Sequence, residues 1–202
     1  RVNTGVGAGV GCHEWVTFAT FCRRINSGRS GVRGYFGIGV WQSSKMMNAG
    51  NLFRSAHAFD AQFVFTINAD YNVRKAKSDT SLAPKNIPWY DYDTIDDLQL
   101  PRNCKLVGVE LTEDAVPLPR FHHPLNAAYL LGPERGSLTP EILDRCDHTV
   151  MIPMKFCVNV ATAGAILMYD RSLVHGGHGK RGLSNLQPAP DAPVHSHGGR
   201  FV

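Results

Sequence analysis

The sequence predicts an α/β fold, with a mostly parallel sheet and helices on both of its faces. Short apolar runs of strand length alternate along the chain with longer segments whose apolar residues recur at helical spacing. Several of the apolar runs are continuous rather than alternating, which is typical of parallel strands buried on both faces. Such an alternation implies strands joined by crossover helices, and therefore a layered α/β domain.

Three zones of different composition divide the chain. Residues 1–31 are rich in Gly, Ser and Arg and predict a flexible extension. Residues 32–172 hold the strand–helix alternation and predict the folded domain. Residues 173–202 are rich in Gly, His and Pro, and their few apolar side chains cannot offset the entropy lost on ordering. We therefore expect a disordered tail.

The first half of the domain holds three predicted strands and two predicted helices. Its first helix is amphipathic, with Leu52, Phe53 and Phe59 on one face and Asn48 placed as its N-cap. Its second helix is acidic. The predicted strands are residues 35–41, 62–67 and 88–92, and the predicted helices are residues 48–59 and 94–100.

The second half continues the same alternation. Thr139 is a plausible N-cap and Pro140 follows at the first helical position, which marks a helix start. The last helix is rich in small residues, which permits close approach of its backbone to a neighbour. The predicted strands are residues 104–111, 127–132 and 148–153, and the predicted helices are residues 139–146 and 157–170.

Composition excludes several classes of protein. No apolar run approaches the roughly 18 residues of a membrane span, and no signal-peptide layout opens the sequence, so a cytoplasmic protein is expected. The five cysteines lack CxxC spacing, which argues against a disulfide framework or a zinc site and predicts free thiols. The net charge of +4 permits nucleic-acid binding without requiring it. The tail histidines have no ordered scaffold for a metal; they are His175, His178, His195 and His197.

A glycine-rich stretch at residues 5–11, GVGAGVG, has the spacing of a dinucleotide-binding loop. That motif needs a strand before it and a helix after it. Only four residues precede it here, so a nicotinamide-dependent oxidoreductase is a weak alternative.

Three further segments place polar residues at predicted strand ends or helix starts: NAGNLFRSA (48–56), LLGPERGSL (130–138) and IPMKFCVNVATAGAI (152–166). Ligands of open α/β sheets bind beyond the carboxyl ends of strands. Each segment also has a simpler interpretation. Asn48 and Asn159 could serve only as helix caps, Arg54 could be a solvated surface residue, and Glu134 could belong to a plain turn.

In this order, the three segments resemble the motif series of the SpoU branch of the SPOUT RNA methyltransferases: N-x-G-N-x-x-R-x-A, L-G-P-E-R-G and I-P-M-(x)-N-V-x-x-A. The resemblance spans about residues 33–171. It implies an α/β sheet with a deep C-terminal trefoil knot, and a homodimer with the site at the dimer interface. It further implies methyl transfer from S-adenosylmethionine to a ribose 2′-hydroxyl of tRNA or rRNA, with no DNA or membrane partner.

The resemblance also implies roles for individual residues. Arg54 would hold the RNA phosphate next to the target ribose, a task that suits its guanidinium group. Glu134 and Asn159 would shape the acceptor site, and Asn48 would brace the segment that carries Arg54. The residues expected to hold the cofactor are Val109, Glu110, Leu131, Gly132, Ile152, Cys157 and Val158.

One position departs from the family pattern. Many members have Ser-Leu-Asn in the last motif, where this chain has Cys157-Val158-Asn159. A thiol is a weaker hydrogen-bonding group than a hydroxyl, so any role that depends on the hydroxyl is in doubt. The simplest interpretation of Cys157 is a small buried thiol that packs like an apolar residue. The departure also motivates an alternative function, an RNA-binding SPOUT protein without methyltransferase turnover.

Overall fold

The computed structural model describes residues 34–43, 46–69, 86–133 and 136–175. They form one sheet and three α-helices, with a short 3-10 turn at Leu118–Arg120. The strands are β1 (Tyr35–Trp41), β2 (Phe63–Ile67), β3 (Trp89–Tyr92), β4 (Lys105–Val109), β5 (Val116–Pro117), β6 (Asn126–Leu131) and β7 (His148–Met151). The helices are α1 (Met46–Ala58), α2 (Pro140–Arg145) and α3 (Val160–His175).

The seven strands form a single sheet in the order β3-β2-β1-β6-β4-β7-β5. Every strand pair in it is parallel. The predicted α/β class with a mostly parallel sheet is therefore confirmed. Because β6, β4 and β7 are neighbours, their carboxyl ends meet at one edge, where ligands of open α/β sheets bind.

Helices cover both faces of the sheet, as predicted. On one face, Ile38 of β1 belongs to the same apolar cluster as Leu52 of α1 and Leu167 of α3. On the other face, Leu130 of β6 clusters with Ile142 of α2. All five of these side chains are almost fully buried, so each face contributes its own apolar core.

The approach of α3 to α1 depends on a glycine. A Cβ placed on Gly164 would lie 2.2 Å from Cδ1 of Leu52. A larger residue would require the buried side chain of Leu52 to shift, so the expectation that small residues of the last helix permit close packing is confirmed at Gly164.

Two predicted helices differ from the observed ones. Residues 94–100 form bends, a turn and irregular structure, so the helix predicted there is wrong. Asp97 does accept hydrogen bonds from both the amide and the hydroxyl of Thr94 (3.1 and 2.7 Å), an arrangement that can start a helix, but no helix follows. The last helix starts at Val160 rather than at residue 157, and it extends to His175, three residues beyond the predicted end of the folded zone.

The predicted caps also need correction. Asn48 is not an N-cap, since α1 already begins at Met46. Thr139 does occupy the N-cap position of α2, with Pro140 following, but its side chain makes no capping hydrogen bond. The two-residue strand β5 escaped prediction because it is short and contains a proline, a residue confined to sheet margins.

Several expectations fall on residues that are not described. Residues 1–31, including the glycine-rich stretch at 5–11, lie outside the described residues, as does the tail beyond His175. His175 itself is helical, and its Nε2 lies 2.8 Å from the carbonyl oxygen of His123. The three described cysteines, Cys104, Cys146 and Cys157, are free thiols, as expected. Within the described residues, no helix has the length and apolar character needed to cross a membrane.

Candidate functional site

A pocket of about 360 Å³ opens where the carboxyl ends of β4, β6 and β7 meet. The last residue of each strand lines it: Val109, Leu131 and Met151. The segment that leads from β7 into α3 forms another wall, and Ala163 at the end of the first turn of α3 also lines the pocket. The pocket therefore lies where the parallel sheet directs three neighbouring strand ends.

All seven residues predicted to hold the cofactor line this pocket. Asn48 and Asn159, from motifs 111 residues apart in the chain, line it as well. Arg54 does not line it and is exposed on α1. Glu134 lies outside the described residues, although Pro133 and Gly136 on either side of it line the pocket. The predicted cofactor residues in the lining are Val109, Glu110, Leu131, Gly132, Ile152, Cys157 and Val158.

Asn159 joins two helices at the mouth of the pocket. Its Oδ1 accepts a hydrogen bond from the amide of Ala161 (2.8 Å), which caps the N-terminus of α3. Its Nδ2 donates to Oδ1 of Asn48 on α1 (2.8 Å). The capping interpretation of Asn159 is thus correct but incomplete, because the same side chain also links α1 to the pocket wall.

Glu110 organises the loop that follows β6. Its Oε2 accepts a hydrogen bond from the amide of Leu138 (2.8 Å), and its Oε1 accepts one from the amide of Leu111 (2.9 Å). A Cβ on Gly132 would lie 2.9 Å from that Oε2 atom, so a larger residue there would displace the carboxylate. Glu110 lines the pocket as expected, and its carboxylate ties the end of β4 to the loop that leads from β6 to α2.

The segment between β7 and α3 is exposed, although its composition is apolar. Met154 is 37% exposed and Phe156 is 77% exposed. Cys157 is also exposed, and it lines the pocket. The interpretation of Cys157 as a buried packing residue is therefore wrong, because the segment forms the rim of a cavity rather than part of the core.

Sequence reasoning missed a buried polar cluster at the opposite edge of the sheet. Arg171 of α3 is 4% exposed, and it donates hydrogen bonds to the carbonyl oxygens of Tyr35, Pro124 and Leu125 and to the hydroxyl of Tyr129 (2.7–3.2 Å). A sequence signal for it exists. Arg171 follows the buried Leu167 by four positions, so a charge lies on the apolar stripe of its helix.

His123 belongs to the same cluster. Its Nδ1 lies 2.6 Å from the hydroxyl of Tyr129, and its Nε2 lies 2.9 Å from Oδ2 of Asp170. Burial lowers the pKa of His123, against the opposing effect of Asp170. Burial also raises the pKa of Tyr129 to about 12, despite the nearby Arg171. The cluster is far from the strand ends that form the pocket, because it contacts the first residue of β1 and the loop before β6.

Comparison with known proteins decides the family. Residues 36–169 match the model of the SpoU rRNA Methylase family. The chain belongs to this family. The resemblance inferred from three short motifs is thereby confirmed, and the matched range contains every described strand except the first residue of β1.

Individual methyltransferases match parts of the chain. It is 35% identical over 69 residues to the 23S rRNA (guanosine-2′-O-)-methyltransferase RlmB of Acinetobacter baylyi, a match that covers 33% of this chain and 28% of RlmB. The AdoMet-bound rRNA methyltransferase of Sinorhizobium meliloti has a TM-score of 0.62 at 17% identity, covering 70% of this chain and 57% of that one. The SpoU methyltransferase AviRb of Streptomyces viridochromogenes has a TM-score of 0.64 at 20% identity, covering 77% and 64%.

At these identities, the two structural matches show a shared fold. The chain spans less than two thirds of the length of each of these three relatives.

Proposed function

We propose that this chain transfers the methyl group of S-adenosylmethionine to a ribose 2′-hydroxyl of tRNA or rRNA. Family membership supports this proposal, as does the name of RlmB, a 23S rRNA guanosine-2′-O-methyltransferase. The observation that contributes most is the pocket, because seven residues chosen from sequence as cofactor ligands converge on it.

The residues of the pocket fit S-adenosylmethionine. Its volume of about 360 Å³ lies within the range of small-molecule sites, about 300–1,000 Å³. Val109, Leu131 and Ile152 offer apolar walls for an adenine ring, while backbone groups at the strand ends offer donors and acceptors for its polar edges. The cofactor supplies a methyl group bound to a positively charged sulfur. The rim also includes the side-chain amides of Asn48 and Asn159.

The chain's own residues would orient the acceptor ribose. A ribose hydroxyl is a weak nucleophile until its proton is removed or shared, and alignment with the methyl group matters as much as acidity. We assign Arg54 to the phosphate beside that ribose and Glu134 to the acceptor side of the pocket. Asn159, bonded to Asn48, would keep α1 and the pocket wall in register.

The proposal includes a homodimer. Ile166, Tyr169 and Leu173 are all at least 36% exposed and follow one another at the i, i+3, i+7 spacing of a helix face on α3. A self-complementary apolar stripe suits a two-fold interface. Because Arg54 does not line the pocket of its own chain, we further propose that it completes the pocket of the partner subunit. The trefoil knot and the cytoplasmic location stay predictions.

The first test measures binding and transfer separately. Isothermal titration with S-adenosylmethionine measures binding, and tritiated methyl incorporation into bulk tRNA and rRNA from a strain lacking the gene measures transfer. Val158→Trp should abolish both, because the indole would fill the pocket. Leu125→Trp, at an exposed site on the opposite edge of the sheet, should change neither. Absence of cofactor binding by the wild-type protein would rule out the enzyme, whereas RNA binding without transfer would favour the non-catalytic alternative.

A second test addresses the shared site. Arg54→Ala and Val158→Trp should each be inactive alone. In an equal mixture of the two variants, about half of the dimers should be mixed, and one of the two sites in each would combine an intact pocket with an intact Arg54. About a quarter of the wild-type activity should therefore return. If Arg54 serves its own chain, the mixture stays inactive, and a monomer by sedimentation analysis would exclude the dimer.

A further inference from the structure

The rim segment at residues 153–158 presents two kinds of side chain. Met154, Cys157 and Val158 line the pocket. Phe156 does not line it, and its exposed fraction of 77% is the largest among the large hydrophobic residues that the structure describes. An aromatic ring is thus exposed to solvent one residue away from the wall of the proposed cofactor site.

A lysine directly precedes this aromatic residue in the chain. Lys155 is exposed, and it forms no ion pair with any residue that the structure describes. The ring of Phe156 likewise makes no aromatic contact within the described part of the chain. Single-stranded RNA is bound by such pairs, since an aromatic face stacks on an unpaired base while an ammonium group contacts the backbone phosphate.

We infer that Phe156 stacks on an unpaired nucleobase beside the methylated ribose and that Lys155 contacts a flanking phosphate. The inference rests on the proposed function and makes the rim segment a determinant of substrate choice. Stacking on Phe156 selects RNA whose target nucleotide lies in a loop or another single-stranded region, because a base within a duplex cannot offer its face to the ring.

Burial of the same segment by a second protein subunit fits the residues less well. The centres of protein interfaces are depleted in lysine, and Lys155 lies between Met154 and Phe156 on this short segment. The apolar stripe of α3 is a separate surface with no lysine between its exposed residues.

Three variants at one position separate stacking from apolar packing. Phe156→Trp should keep or improve kcat/KM for bulk RNA from the gene-deficient strain. Phe156→Leu keeps an apolar side chain without a π face, and Phe156→Ala removes both the π face and most of the apolar surface. Each of these two variants should lower kcat/KM by about 5- to 150-fold. S-adenosylmethionine affinity by titration should stay at the wild-type value in all three, since Phe156 does not line the pocket.

The phosphate contact has its own measurement. The slope of log affinity for bulk RNA against log salt, from filter binding, should fall by about 0.7 in Lys155→Gln. Lys105→Gln is the matched control, because Lys105 is exposed near the amino edge and pairs with Asp147 at 2.7 Å. Its slope should equal that of the wild-type protein.

Several outcomes would overturn the inference while leaving the proposed function intact. Wild-type transfer rates in Phe156→Leu would show that any apolar side chain suffices. A loss of dimer in Phe156→Ala by sedimentation analysis would assign the ring to a subunit contact. Filter binding does not depend on turnover, so an unchanged RNA affinity in Phe156→Ala overturns the inference even if the wild-type protein transfers no methyl group.

Discussion

Polar groups are buried at one edge of the sheet and line an open pocket at the other. At the amino edge, Arg171 is buried and donates hydrogen bonds to four acceptors within the chain. At the carboxyl edge, Asn159 and Asn48 meet at the rim of an open pocket, beside an exposed Phe156. Both edges are tied to α3, whose N-terminus lies at the pocket and whose last turns enter the buried cluster.

This difference separates stability from function along a single helix. A buried charge with four hydrogen bonds fixes the ends of β1, β6 and α3 relative to one another. Polar groups that face a cavity contribute less to folding and can exchange their contacts for those of a ligand. We therefore expect changes at the amino edge to affect unfolding, and changes at the carboxyl edge to affect binding and transfer.

The largest expected effect belongs to Arg171→Met. The methionine keeps an apolar stem but removes the guanidinium donor from three carbonyl oxygens and a hydroxyl. The oxygen of Leu125 still accepts from the amide of Tyr35 (3.0 Å), whereas other acceptors lose a buried partner, so the free energy of unfolding should fall by about 3–5 kcal/mol. Urea denaturation measures it. Arg120→Met, at an exposed arginine, should change the value by about 0.5 kcal/mol or less. Similar stabilities for the two variants would mean that the cluster does not hold the amino edge together.

Glu110→Gln tests whether one residue at the carboxyl edge both stabilises the fold and supports cofactor binding. The carboxylate accepts from the amides of Leu111 and Leu138, whereas the single oxygen of the glutamine amide can accept from only one of them. The free energy of unfolding should therefore fall by about 1–3 kcal/mol. The loop after β6 would loosen, and cofactor affinity by titration should fall about tenfold. Glu113→Gln, at an exposed glutamate three residues further along the same loop, should leave both quantities unchanged. Unchanged affinity in Glu110→Gln would show that the loop holds its position without this carboxylate.

Two substitutions at Asn159 separate its role as a helix cap from its hydrogen bond to Asn48, here called the bridge. Asn159→Ala loses both bonds and should lower the free energy of unfolding by about 1 kcal/mol. Asn159→Asp keeps the capping oxygen but cannot donate to Asn48, so its stability should stay within about 0.5 kcal/mol of wild type. If the bridge matters for catalysis, both variants should lose methyl transfer. Full activity in Asn159→Asp would reduce Asn159 to a helix cap.

Sequence reasoning located the pocket where short motifs identify it. The resemblance assigned Val109, Leu131 and Ile152 to the cofactor, and these residues line one pocket because parallel strands bring their carboxyl ends together. The helix predicted at residues 94–100 is wrong. Its carboxylates suggested an acidic helix, and the Asp97–Thr94 bonds have the spacing of a helix start, yet the residues form bends, a turn and irregular structure.

Features that depend on distant partners could not be predicted. Arg171 bonds to residues 46 and 136 positions away, and no local pattern indicates that those carbonyl oxygens will meet one guanidinium group. The exposure of Phe156 was equally hidden. The stretch around it has the composition of a core strand, and only the position of the pocket shows that it forms a rim.

The smallest expected effect is a pH dependence at the amino edge. His123 faces Tyr129, Asp170, Arg171 and His175, and burial lowers its pKa below the ordinary value of 6.5. In the unfolded chain the imidazole takes up a proton as the pH falls through about 6.5, whereas the folded protein resists that proton. The contribution of neutral His123 to the free energy of unfolding should therefore be complete above pH 6.5 and decline as the pH falls toward the lowered pKa.

Urea midpoints at several pH values between 7.5 and 5.5 would reveal this decline. His123→Gln should weaken the pH dependence, while His122→Gln, at the exposed neighbour, should keep the wild-type curve. A folded protein that becomes more stable on acidification would mean that the carboxylate of Asp170, 2.9 Å from Nε2, outweighs burial and holds a charged imidazole. In that case the amino edge would contain an ion pair in place of a neutral hydrogen-bonded cluster.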